Sequence, residues 1–142
     1  MTATPDRSQP SLAARAAGAT LAALSAGFGA GTIWATLHLR RTGELPLTPW
    51  GFRALSGPFE RLGSDVFSAL GLALAGLCGL NILAGAWLWR GERRGLRLSQ
   101  ATFVPTMVLG VGFALPFLLI GVPISAVLAL AGRRNLGPRD GT

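Results

Sequence analysis

Three long tracts of this chain carry no charged side chain: residues 16–37, 66–89 and 98–132, of 22, 24 and 35 residues. Their bounding residues are Arg15 and His38, Asp65 and Arg90, and Arg97 and Arg133. At 1.5 Å per residue the first reaches about 33 Å as a helix, enough for a hydrocarbon layer of about 30 Å. That run exceeds a usual signal-peptide core, so it reads as an uncleaved first span over about residues 12–39. The second span covers about residues 65–89, with Ser64 placed to cap it and Asp65 near the positive end of its dipole.

The third tract is too long for one span and nearly long enough for two. As one helix it would be about 52 Å, as two about 26 Å each, and bilayer mismatch costs fractions of a kcal/mol per Å. Gly110, Gly112, Pro116, Gly121 and Pro123 punctuate its middle. Proline disfavours a helical residue before it and suits the first turn of a new helix. The pattern therefore predicts a hairpin near residues 113–117 between spans of about 97–113 and 117–134. The expected fold is all-α, an integral membrane four-helix bundle with two longer and two shorter members. Residues 1–11 and 135–142 are left as polar cytoplasmic tails.

Composition sharpens this picture. Mean hydropathy is +0.48 and half the residues are apolar. All 13 basic residues are arginine, and net charge is +7. Confined to ends and connections, that charge points to anionic headgroups and topology; no nucleic acid partner is expected. An arginine-only basic set is what a GC-rich coding genome produces, which suggests a bacterial inner membrane. With four spans, Arg7, Arg15, Arg90, Arg93, Arg94, Arg97, Arg133, Arg134 and Arg139 share one side; Arg40, Arg41, Arg53 and Arg61 share the other. The bias predicts both termini in the cytoplasm of a multi-pass protein, whereas a three-span arrangement specifies no orientation.

Small residues recur on one side of the first span, at Ala16, Thr20, Ala23, Gly27 and Gly31, and on one face of the second, at Ser68, Gly71, Ala75, Cys78 and Gly85. Such stripes let helices approach closely in lipid. They are expected to pack within the chain, or at a dimer seam, with Leu70, Leu74, Leu77 and Leu88 facing lipid. Asn81 is the strongly polar side chain near mid-span and needs a partner, either a neighbouring helix or the carbonyl of Leu77.

Trp34, His38, Trp50, Phe59, Trp87 and Trp89 read as interfacial anchors. Arg90, Arg93, Arg94 and Arg97 form a basic turn for anionic headgroups. The connection over residues 40–63 holds Pro46, Pro49 and Pro58, which forbid one long helix. Trp50, Phe52, Leu55, Phe59 and Leu62 are too apolar for a solvated loop. Two short segments, near residues 49–56 and 58–63, are expected to lie in the interface as a lid, and the mouth beneath could admit a lipid or small amphiphile.

Catalytic chemistry has little to work with. One histidine cannot build a paired haem site or a three-ligand zinc site, and one cysteine has no disulfide partner. His38, Glu44, Glu60 and Asp65 would have to act at the outer face, without a recognisable nucleophile and base. No catalytic, cofactor or metal site is assigned. In outline the chain resembles small four-helix bacterial membrane proteins, DoxX-like ones included; that likeness covers most of the chain but carries no motif and implies no activity. The expected role is a noncatalytic accessory or structural membrane component. Its partners would be membrane lipids, and a second copy or another membrane protein. The alternatives are a carrier or channel for a small or lipidic solute, and a membrane enzyme.

Overall fold

A computed structural model describes residues 10–135; the expected tails lie outside the described residues except for Pro10, Ser11 and Asn135, as do Arg7 and Arg139. Four helices account for most of these residues: α1 (Leu12–Thr42), α2 (Ser64–Trp89), α3 (Arg93–Gly112) and α4 (Pro116–Gly132). Short 3-10 turns cover Pro58–Leu62 and Arg133–Asn135. Among the described residues there is no strand, only an isolated bridge between Leu47 and Arg53.

Local chemistry sets each helix end. Ser11 caps α1 by accepting from the Ala14 amide at 3.2 Å. The far end runs past residue 39 to Thr42, where Gly43 takes a left-handed φ of 76° and its N–H returns to the Leu39 carbonyl. Arg40 and Arg41 lie in that last turn, where cations complement the helix dipole. At α2 the expected cap is corrected: Ser64 is already helical, and Gly63 precedes it at φ 91°, with its carbonyl accepting from Phe67 N–H at 2.9 Å. A side-chain cap is dispensable there because glycine supplies the entry angle.

α3 begins at Arg93, one turn earlier than residue 97, so Arg93, Arg94 and Arg97 stand on its first turns and only Arg90 belongs to the preceding turn. It closes on a Schellman-type cap. The Ala114 N–H bonds to Val111 and the Leu115 N–H to Gly110, at 3.1 and 2.9 Å. The left-handed position usually given to glycine is filled by Ala114, at φ 50°. Pro116 then opens α4. Pro105 and Pro123 lie inside α3 and α4, each removing one backbone bond from its helix.

α1 packs against α2 and α4, and α3 against the same two helices. Glycines mark the closest approaches: a methyl added to Gly18 would meet the Gly85 carbonyl at 2.5 Å, and one added to Gly95 would meet the Ala84 carbonyl at 2.6 Å. Pro10 lies beside Gly91, Ser11 beside Gly132, and the Arg15 guanidinium 5.4 Å over the Trp89 ring. The start of α1, the α2–α3 turn and the end of α4 thus meet at one end, the terminal end. At the opposite, connection end Gly57 lies against Gly112, Phe113 and Ala114.

The core has two apolar clusters. Ala14, Ala17, Leu21, Ala84, Leu88 and Ala129 fill the terminal end. Ala35, Leu39, Leu55, Phe67, Leu74, Cys78, Leu109 and Phe113 fill the connection end. There Phe113 receives Phe59 and Phe67 edge-on, with ring centroids 5.3 and 5.1 Å away, a favoured aromatic geometry. Between the clusters, along the helices, the buried residues turn polar: Ser25 and Thr32 in α1, Asn81 in α2, Thr102 and Thr106 in α3.

Candidate functional site

A lateral groove of about 740 Å³ lies at the connection end. Its floor is the α1 face from Ala23 through Gly27 and Gly31 to Trp34. A methyl added at Gly27 or Gly31 would meet nothing within 4 Å, so the helix backbone itself is laid open. One wall is the α3–α4 turn from Phe113 to Phe117, and the other is the α1–α2 connection from Trp50 to Ser56. That connection does not form a helix at residues 49–56. It folds as a tight loop, with Thr48 N–H bonded to Phe52 O at 2.7 Å and Ala54 N–H to Pro46 O at 2.8 Å.

The two non-glycine residues with left-handed backbone among those described, Leu55 (φ 61°) and Ala114 (φ 50°), both line this groove, one in each wall. A bulky residue in that region costs about 1–2 kcal/mol. Surrounding packing repays it: Leu55 is buried in the core cluster, while Gly57 sits against the turn that holds Ala114. The rim is aromatic and open, with Trp34, Trp50, Phe52 and Phe117 all exposed.

Four polar side chains, Thr32, Thr48, Arg53 and Ser56, interrupt the apolar lining. Thr32 is 1% exposed and its hydroxyl has no hydrogen-bond partner. Arg53 stands at the rim, its Nη1 2.9 Å from Glu60 Oε1, in a pair that remains largely solvent-exposed. Arg53 also borders a smaller cavity of about 230 Å³, to which Leu39, Glu44, Glu60 and Phe67 contribute.

The structure distributes the remaining expected residues as follows. Gly27 and Gly31 do not pack against another helix of this chain, which corrects the internal-packing expectation. Helix α1 turns Ser25, Gly29, Thr32 and Thr36 inward, leaving the glycine stripe on the open side. Gly71 lies against Thr36 and Thr32, and Cys78 against Gly29, at the α1–α2 seam; Ala75 is half-buried. Leu74 and Leu88 are buried, not outward-facing, because α2 has a neighbour on two sides and its covered sector is wide. Asn81 bonds across to α3: its amide donates to Thr106 Oγ1 at 3.2 Å and its carbonyl accepts from Thr102 Oγ1 at 2.5 Å.

His38 is half-buried beside Trp34, with ring centroids 6.0 Å apart. Phe59 covers Gly112, Trp87 is partly exposed, and Trp89 lies under Arg15 at the terminal end with Arg90, Arg94 and Arg97 exposed near it. Among the described residues no three of histidine, cysteine, aspartate and glutamate gather in a way that could hold a metal ion. Sequence reasoning passed over the Phe113–Phe117 wall, the orphaned Thr32 hydroxyl and the place of Arg53 on the rim. Only the apolar run at Trp50 to Leu55 signalled that something folds over α1. Comparison with family models, with curated proteins and with solved structures found no match to this chain.

Proposed function

We propose that this chain is a small noncatalytic membrane protein, an accessory or structural component, with its four helices inserted in a bilayer and both termini cytoplasmic. The observation that carries the reading is the inversion of polarity across the helices. Ile33, Leu37, Leu72, Leu83, Val108 and Val127 are exposed, while Ser25, Thr32, Asn81, Thr102, Thr106 and Ser125 are buried. Water would leave these apolar side chains uncovered; hydrocarbon accepts them, and favours small and hydroxylated contacts between helices.

α1 and α2 are long and apolar enough to cross a membrane, and α4 is a shorter apolar helix. α3 and α4, at 20 and 17 residues, reach about 30 and 26 Å. The alternation of ends places Arg15 with Arg90 to Arg97 and Arg133, in keeping with the arginine bias. Reporter fusions after residues 45, 95 and 142 test this, with the first expected outside and the other two inside. Release by alkaline carbonate, or an external C-terminus, refutes it. A second reading, a carrier for a lipidic solute, is favoured by the groove, since flux of a lipidic probe in proteoliposomes would need such an entry.

A further inference from the structure

We propose that the lateral groove is a binding site for a single-chain anionic amphiphile, its acyl chain lying along α1 and its acidic head at Arg53. The proposal deepens the carrier reading and rests on the membrane placement above. Volume selects the class: about 740 Å³ lies within the roughly 300–1,000 Å³ of small-molecule pockets. Shape narrows it. From Trp34 down to Ala23 the floor runs about 16 Å. An extended hydrocarbon chain lies along that floor over the bare backbone of Gly27 and Gly31.

Polarity sets the direction. At the rim the Arg53 guanidinium spends one nitrogen on Glu60 and keeps further N–H donors for a carboxylate. The connection end as a whole is electropositive, with Arg40, Arg41, Arg53 and Arg61 against Glu44, Glu60 and Asp65. Trp34 and Trp50 flank the point where head and chain would join, the depth tryptophan prefers.

Those tryptophans also report on the site. The full chain carrying Trp87→Phe and Trp89→Phe keeps Trp34 and Trp50 as its fluorophores. In phosphatidylcholine nanodiscs it is titrated with a dibrominated fatty acid and with the methyl ester of that acid. The proposal expects saturable quenching by the acid at about tenfold lower concentration than by the ester, the worth of a charge-assisted bond. Arg53→Gln should erase that preference, and Gly31→Leu the saturable component. Gly31 has open space around it, so the leucine fills the groove without disturbing the fold, as an unchanged circular-dichroism melt will verify. Quenching that rises linearly and equally in all three proteins means bulk lipid alone bathes the groove and overturns the proposal. So does a dimer that Gly31→Leu dissociates with no preference for the acid, which would make a second copy the occupant. Saturable, acid-selective quenching in a protein that carbonate washes from membranes would uphold the groove while refuting the membrane placement.

Discussion

Replacing Gly85 by alanine and replacing Gly27 by alanine should move stability in opposite directions, although both glycines sit on apolar helices and both belong to small-residue stripes. A methyl at Gly85 would stand 2.6 Å from the Gly18 carbonyl and 3.0 Å from the Ala22 Cβ. Neither neighbour is the end of a flexible side chain, so α1 and α2 must separate. Overpacking of this kind costs about 1–3 kcal/mol, and a backbone obstacle belongs at the upper end. Alanine regains about 1 kcal/mol through helix propensity. The net loss for Gly85→Ala is therefore about 2 kcal/mol. A methyl at Gly27 meets nothing, so only the propensity term acts and Gly27→Ala gains up to about 1 kcal/mol. Reversible unfolding in mixed micelles of rising SDS fraction, followed by circular dichroism, should separate the two variants by about 3 kcal/mol. A Gly85→Ala protein as stable as the parent would refute the close-approach argument. A Gly27→Ala protein that loses as much as Gly85→Ala would show that the open α1 face is covered by another chain.

Three further outcomes follow from side-chain and backbone geometry. Asn81→Leu removes two bonds to α3 and leaves the Thr106 hydroxyl without its amide donor, while Thr102 can still turn to the Leu98 carbonyl 3.0 Å away; the same SDS titration should show a loss of about 1–3 kcal/mol. Ala114→Gly relieves a left-handed alanine at the α3 cap and should raise stability by about 1 kcal/mol, visible as a later unfolding midpoint. Glu60→Gln breaks an exposed ion pair and should cost well under 1 kcal/mol, with the difference vanishing at high salt.

The sequence makes the helical class and the α3–α4 break legible because glycine and proline act locally. Pro116 can open a helix but hardly continue one, whatever surrounds it. The uncharged tracts likewise announce helices without reference to neighbours. Faces are another matter. Periodicity shows that Gly27 and Gly31 share a stripe, but whether that stripe is covered depends on where α2 and α4 lie, and the chain buries the stripe of Gly18, Ser25, Gly29 and Thr32 instead. The same limit applied to Leu74 and Leu88, which periodicity set apart from the small residues and tertiary packing brought inside. Asn81 was legible as a residue needing a partner, since desolvation of an amide is a local cost. Its partners Thr102 and Thr106 are 21 and 25 residues away, a pairing that only the register of α2 on α3 decides. The groove depends on residues from three separate segments, and only the apolar connection at Trp50 to Leu55 gave it a local signature.

The two seams of α2 are fastened differently. Toward α3, Asn81 clasps Thr102 and Thr106, so any sliding of that pair breaks directional bonds. Toward α1 the fastening is close fit alone: Gly71 lies against Thr36 and Thr32, Gly29 against Cys78, and Gly85 against Gly18 and Ala22. A single substitution therefore loosens the first seam by a lost bond and the second by a forced distance.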